Sequence, residues 1–266
     1  MDSRQWWKFG LVVTLVACFG VAACGGGGGS TQETAATSAP AAAPAAVDPA
    51  TAGELTGKIV LEGAPGKNDV IKMNADPVCV RENKGTQTQE FFMVGEGGAL
   101  ANVFVYVKDG LGNMTFPTPT EAVQLNQQGC RYHPHVFGMM VGQPMEIMNS
   151  DPTLHNIHAL PKANQEFNTA QPIQNMKTNH TFAAREVMVP FKCDVHGWMN
   201  AYVGVLDHPY FSVSGADGTF DIKNLPPGTY TIEAWQEKLG AMTQSVTIGA
   251  KETKDIAFTF KAAATD

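Results

Sequence analysis

Residues 191–199, Phe191-Lys192-Cys193-Asp194-Val195-His196-Gly197-Trp198-Met199, place a thiol, an imidazole and a thioether within seven residues in the spacing C-x2-H-x2-M. Residues 186–191 alternate as a strand running into this stretch, and residues 201–206 read as a strand leaving it. The three side chains therefore sit on one tight loop between two strands, small enough to fold around a single metal ion. A second imidazole, His155, stands 38 residues before Cys193, after the alternating run 142–149 and the polar turn Asn149-Ser150-Asp151. The chain is thereby committed to a β fold that brings two distant loops to one end.

Two His and one Cys in a plane with a weak axial Met form the ligand set of a blue copper centre. Zinc accepts Cys and His, but Met is a poor zinc ligand, and thiolate with thioether suits copper. The stretch resembles the cupredoxin family of Greek-key β-sandwiches, and its short loop is most similar to the amicyanin end of that family. The resemblance covers about residues 122–207. It implies His155, Cys193 and His196 as equatorial ligands, Met199 as the axial one and Asn156 as a tie between the two ligand loops. It also implies that His196 lies nearest the surface, with Gly197 and Trp198 in an apolar patch through which electrons enter.

The N-terminus reads as a leader. Arg4 and Lys8 precede an apolar run from Leu11 to Ala23, and Val21-Ala22-Ala23-Cys24 closes it. Such a run is too short to span a bilayer. It resembles the bacterial lipoprotein signal, which implies lipid on Cys24, a tether through the Gly/Ala/Pro-rich residues 25–52 and a place on the cell envelope. The absence of Asp after Cys24 leans towards the outer membrane; ordinary secretion is the alternative. Loss of Asp2, Arg4 and Lys8 takes the formal charge from −7 to −8. That balance argues against nucleic acid and fits both a redox partner with a basic rim and plain solubility.

Five cysteines then sort themselves. Cys18 leaves with the leader, Cys24 takes lipid and Cys193 takes metal, so Cys79 and Cys130 are expected as a disulfide in an oxidising compartment. On the chain-entropy account a loop of that length stabilises the fold by roughly 4 kcal/mol. A second metal at Cys130, His133 and His135 competes with this reading. Strand alternation would point the two histidines to one face and Cys130 to the other, and Pro134 narrows the geometry further. His158 is either a neighbour that orients the metal ligands or an exposed residue. His180 and His208 read as surface, and Met139, Met140, Met145, Met148, Met176 and Met188 as core packing.

Residues 208–262 are strand-like throughout, with Asp217-Gly218 as a hairpin signal and Pro227-Gly228 before the next run. The D-G-x-F and L-P-x-G-x-Y patterns resemble a carboxypeptidase regulatory-like, transthyretin-type sandwich. Its expected first half lies upstream, in Gly53 to Gly63 and Ala99 to Val107. The expectation is an all-β protein with one sandwich, residues 53–121 plus 208–262, interrupted by the cupredoxin at 122–207. Three functions follow: a membrane-tethered copper electron carrier, a copper delivery or storage protein, or a metal-free surface module. Enzymes of the multicopper type need further histidine centres, and a dinuclear electron-transfer centre needs a second cysteine where Asp194 stands.

Overall fold

A computed structural model describes residues 47–262; the leader, Cys24 and most of the tether lie outside the described residues. In chain order β1 (Gly53–Glu62) and helix α1 (Pro77–Glu82) precede β2 (Phe104–Asp109). Nine strands follow: β3 (Val123–Gln127), β4 (Tyr132–His133), β5 (Val136–Met140), β6 (Met145–Asn149), β7 (His155–Ala159), β8 (Phe167–Gln171), β9 (Met176–His180), β10 (Glu186–Lys192) and β11 (Asn200–Leu206). Five more close the chain: β12 (Phe211–Val213), β13 (Thr219–Leu225), β14 (Gly228–Gln236), β15 (Gly240–Ile248) and β16 (Thr253–Lys261). The described protein is nearly all β, and none of its helices is long and apolar enough to cross a membrane.

β3 to β11 form two facing sheets, in the orders β4-β3-β6-β9 and β5-β11-β10-β7-β8. Their inward residues, including Leu125, Ile147, Ile157, Val189, Phe191 and Val203, make one core that reaches Cys193 and Met199 at the ligand end. This is the Greek-key, cupredoxin-like sandwich that the alternating strands require. The other strands form sheets β13-β1-β16 and β12-β2-β14-β15 around a second core that includes Leu55, Ile59, Val105, Ile232 and Phe258. β1 runs parallel to β16 over nine register pairs, from Glu54–Thr253 to Glu62–Lys261, so the two ends of the described chain share one sheet.

Two expectations change in detail. The Asp217-Gly218 turn does form, with Gly215 N–H donating to Thr219 O. Its flanking strands do not pair, because β12 joins β2 and β13 joins β1. Gly218 (φ +77°) sits 2.5 Å, at the position of a would-be Cβ, from Ile59 O, so the turn is wedged against β1 and carries the chain from one sheet to the other. Nor does all of 53–121 serve the second sandwich. Ile71, Met73 and Cys79 pack into the cupredoxin-like core, laying residues 70–90 and α1 over the ligand end.

The sandwiches meet through two aromatic rings on two glycines. Gly138 of β5 and Gly204 of β11 are register partners, and Phe211 and Phe104 lie over them. A Cβ on Gly204 would come within 2.3 Å of the Phe104 ring, and one on Gly138 within 2.4 Å of Phe211. Close packing leaves no room for a methyl group here. Gly204→Ala is therefore expected to destabilise the protein by about 1–3 kcal/mol in chemical denaturation, and Phe104→Leu in the same chain to recover part of the loss.

His208, expected at the surface, is buried at the seam after β11. Its Nε2–H donates to Val107 O at 2.9 Å while Nδ1 accepts the Tyr210 N–H at 3.2 Å, which fits one neutral tautomer. Burial lowers its pKa to about 4, against partial opposition from Asp207. The unfolded chain then binds the proton more readily, and stability falls as pH drops from the ordinary histidine value towards 4. That term amounts to about 3 kcal/mol; comparing unfolding free energies at pH 7 and pH 4.5, His208→Gln should show a correspondingly smaller difference.

Candidate metal centre

His155 opens β7, Cys193 follows β10, and β10 pairs with β7 through Phe191–Ala159 and Lys192–His158. That pairing sets the two ligand loops side by side. Cys193 N–H donates to Met199 O at 3.2 Å and Met199 N–H to His196 O at 2.9 Å, folding the C-x2-H-x2-M stretch into a closed turn. His155, Cys193, His196 and Met199 are all at most 3% exposed. One donor atom each from His155, Cys193 and His196 lies within 4.8 Å of the others. The Met199 side chain belongs to the same core cluster as Cys193.

The orientation of the imidazoles decides what this cluster can bind. His155 Nε2 lies 2.9 Å from Asp151 Oδ2, and His196 Nε2 lies 2.9 Å from Asp76 Oδ2. Burial opposes ionisation of Asp151, but hydrogen bonds from His155 and from the Cys130 and Gly129 N–H groups outweigh it and lower its pKa. Asp76 is likewise lowered, because bonds from Thr153, Val78, His196 and Cys79 outweigh its burial. Ionised carboxylates only accept, so each Nε2 carries the proton and each Nδ1 presents a lone pair. Those two Nδ1 atoms face one another at 2.9 Å, and the Cys193 sulfur lies 3.9 Å from His196 Nδ1.

Three lone-pair donors converging in a buried space repel unless a cation lies among them. Without metal that cation is a proton. Burial disfavours the charged form of His155, yet Asp151 and Cys193 together raise its pKa. Burial likewise opposes the Cys193 thiolate, but the proton shared by the His155 and His196 rings, together with the His196 backbone N–H 3.3 Å from the sulfur, brings its pKa down to about 6. A metal ion would satisfy all three donors together in place of the proton. The site therefore fits a soft cation bound by two imidazoles and a thiolate.

Asn156 lies between the loops. Its Oδ1 accepts the Asp194 N–H at 2.7 Å and is 3.2 Å from Cys193 Sγ, while Nδ2 donates to Asn168 Oδ1 and Asp194 Oδ2. His158 is not part of the convergent set; its nitrogens face Asp194 at 2.9 Å and Glu166 at 2.7 Å. Gly197 is exposed, and Trp198 is half-buried with its Nε1–H on Cys130 O at 3.0 Å. The outer edge of His196, expected at the surface, is covered by Asp76.

Cys79 and Cys130 form the disulfide, with S–S 2.00 Å. His133 and His135 do not share a face, because β4 ends at His133 and β5 begins only at Val136, so alternation does not carry across Pro134. His133 is exposed, whereas His135 is buried with Nε2 on Glu237 Oε1 at 2.5 Å and Nδ1 near Asn200 O at 3.2 Å. With both nitrogens occupied, His135 links the β14–β15 hairpin to the residue after Met199 rather than serving a metal. The sequence reading missed Asp76 and Asp151. Asp151 stood four residues before His155, within reach of its ring, and Asp76-Pro77 carried the mark of a helix N-cap.

Residues 181–256 match the family described as polysaccharide lyase family 4, domain II, which differs from the carboxypeptidase regulatory-like family that the turn motifs resemble. No curated protein sequence matches the chain. Among solved structures, a copper-containing nitrite reductase from Thermus scotoductus SA-01 is similar at 18% identity and TM-score 0.31, over 34% of this chain and 23% of its own. The chain thus spans about a quarter of that reductase's length. A purple cupredoxin from Nitrosopumilus maritimus is similar at 20% identity and TM-score 0.28, over 31% of this chain and 98% of its own. An oxidised amicyanin variant gives 20% and 0.29, over 32% and 81%. At such scores these likenesses carry no weight for function, which rests on the side chains themselves.

Asn156→Ala should destabilise the metal-free protein by about 2–3 kcal/mol, because it strips the Asp194 N–H of its acceptor and unties the loops. Denaturant unfolding at neutral pH measures this.

Proposed function

We propose that the protein is a type 1 copper electron carrier tethered outside the cytoplasm. The observation that carries this reading is the pair of Nδ1 atoms facing one another at 2.9 Å beside the Cys193 sulfur, each imidazole held from behind by a carboxylate. Hard cations such as calcium and magnesium prefer oxygen donors. Thiolate, two imidazoles and the thioether of the same short loop suit copper.

Copper bound here would supply a one-electron Cu(I)/Cu(II) couple. The chain's own residues do the rest. Cys193 would hold the metal through its thiolate, His155 and His196 through their imidazoles, and Met199 through its thioether. Asp151 and Asp76 fix the tautomers, and Asn156 holds the loops at constant separation. A donor set held this rigidly changes little between the two oxidation states, which is what rapid electron transfer needs. Burial of every donor supports carriage over delivery, since a delivery site must expose a ligand to its acceptor, and supports electron carriage over substrate turnover.

The tether belongs to the same proposal. Lipid on Cys24 and a flexible run to about residue 52 would let the folded part reach a redox protein along an envelope membrane, and the acidic surface would favour a partner with a basic rim.

One equivalent of Cu(II) added to the purified protein should give an intense visible thiolate-to-copper band that bleaches on reduction and is absent from Cys193→Ser. A protein that binds copper without that band, or takes up none while Cys193 titrates as a free thiol, would exclude the carrier reading.

A further inference from the structure

The outer nitrogen of His196 does not meet solvent. Asp76 Oδ2 lies 2.9 Å from Nε2 and Cys79 Sγ lies 3.6 Å from it, and the residue is 3% exposed. Both covering groups come from residues 70–90, about 120 positions away in sequence and outside every strand of the cupredoxin-like sandwich.

Asp76 is fully engaged. Oδ1 accepts the Val78 N–H at 2.8 Å and the Cys79 N–H at 3.4 Å, which caps α1. Oδ2 accepts the Thr153 hydroxyl at 2.8 Å together with the His196 ring. Thr153 lies two residues before His155, and its carbonyl accepts from Asn149 Nδ2 at 2.9 Å. One carboxylate thus connects a helix, the loop of the first histidine and the second histidine itself.

The disulfide holds this segment in place. Cys79 is bonded to Cys130, and Asn83 Nδ2 donates to both Cys79 O and Gly129 O, at 2.8 and 2.9 Å. Gly129 and Cys130 are both left-handed (φ +61° and +55°), which turns their successive N–H groups onto the two oxygens of Asp151 at 2.7 Å each. Asp151 in turn holds His155. On the far side, Gln89 Nε2 donates to Trp198 O at 3.0 Å. Each imidazole is therefore backed by a carboxylate, and the disulfide bridges the two segments on which those carboxylates depend.

We propose that residues 70–90, pinned by the Cys79–Cys130 disulfide, are a fixed cover over the metal pocket in which Asp76 is the positioning residue for His196. Asp76 keeps the proton on Nε2 and so keeps the Nδ1 lone pair directed at the metal. The cover closes the direct route by which a chelating thiol or a second metal ion would reach the site. This rests on the copper reading for its metal-loaded consequences, but it makes a separate claim about the metal-free protein.

Asp76→Asn separates positioning from mere helix capping. Asn caps a helix about as well as Asp, but it offers one acceptor oxygen where Asp76 uses two. With that oxygen taken by the Val78 and Cys79 N–H groups, the amide NH2 faces Nε2, and His196 must move its proton to Nδ1. Nitrogen-15 NMR of the metal-free protein should show His196 as the Nε2–H form in the wild type and the Nδ1–H form in Asp76→Asn, with the unfolding midpoint close to wild type. Copper release to a strong chelator should become roughly 10-fold or more faster, and the Cys79→Ser/Cys130→Ser double variant should also release copper faster.

An unchanged tautomer and an unchanged release rate in Asp76→Asn would overturn the proposal, as would a wild-type His196 carrying its proton on Nδ1. If the wild type takes up no copper while the tautomer still switches, the copper reading fails and the cover stands. If copper binds with its thiolate band but neither readout responds to Asp76→Asn, the cover fails and the copper reading stands. Should the double cysteine variant fail to fold, the Asp76→Asn measurements decide alone.

Discussion

Everything at the ligand end depends on the direction in which two imidazole rings are held. A histidine lone pair is free to bind metal only if the proton sits on the other nitrogen, and that is settled by what the other nitrogen touches. Here both outer nitrogens touch carboxylates whose own hydrogen bonds keep them ionised. The inner nitrogens are thereby forced together beside a thiol whose pKa is depressed by the proton they share. The pocket is electrostatically incomplete by construction, and a soft cation would complete it. Asp151, Asp76, Asn156 and the disulfide are all ways of fixing that one geometry.

The second sandwich acts on the site through packing rather than through donors. Phe104 and Phe211 seat on Gly204 and Gly138, and Gly204 lies on the strand that begins immediately after Met199. Glu237, from the hairpin between β14 and β15, holds His135, whose other nitrogen meets Asn200 O. Pairing of β1 with β16 draws both ends of the described chain into one sheet, and residues 70–90 run between β1 of that sheet and β2 of the facing one. A segment anchored at both ends and by a disulfide keeps little conformational freedom.

How much of this was legible in the sequence follows the range of the interactions. The strand alternation, the C-x2-H-x2-M spacing and Asn156 beside His155 are local patterns, and in the structure donor atoms of His155, Cys193 and His196 lie within 4.8 Å of one another. The disulfide was reached by counting what remained once the other cysteines had uses. Asp76 could not be found that way: its partner His196 is 120 residues distant, and the N-cap mark of Asp76-Pro77 does not say which ring the carboxylate will meet. The Asp217-Gly218 turn had the right chemistry and formed, but pairing of its flanking strands is a tertiary matter, and each strand found a better partner in another sheet. His208 resembled a surface residue because Asp207 and Pro209 flank it, while its burial comes from Val107 and Tyr210.

The cover also bears on what kind of copper chemistry such a site can support. An exchangeable site needs a ligand that can swing out, and a catalytic one needs an open coordination position. Here the loop ligands are closed by backbone hydrogen bonds, one imidazole is backed by the sandwich's own turn and the other by an imported helix cap. A metal held this way would be hindered both in its escape and in the approach of small molecules to it. Electron transfer is the one process that loses little, because an electron needs only short through-bond and through-space steps to the surface, and the Trp198 ring lies 5.0 Å from the His196 ring with its indole N–H on Cys130 O. Closure that would disable a delivery protein or an oxidase is compatible with a carrier, and that asymmetry favours the carrier among the functions the ligand set allows.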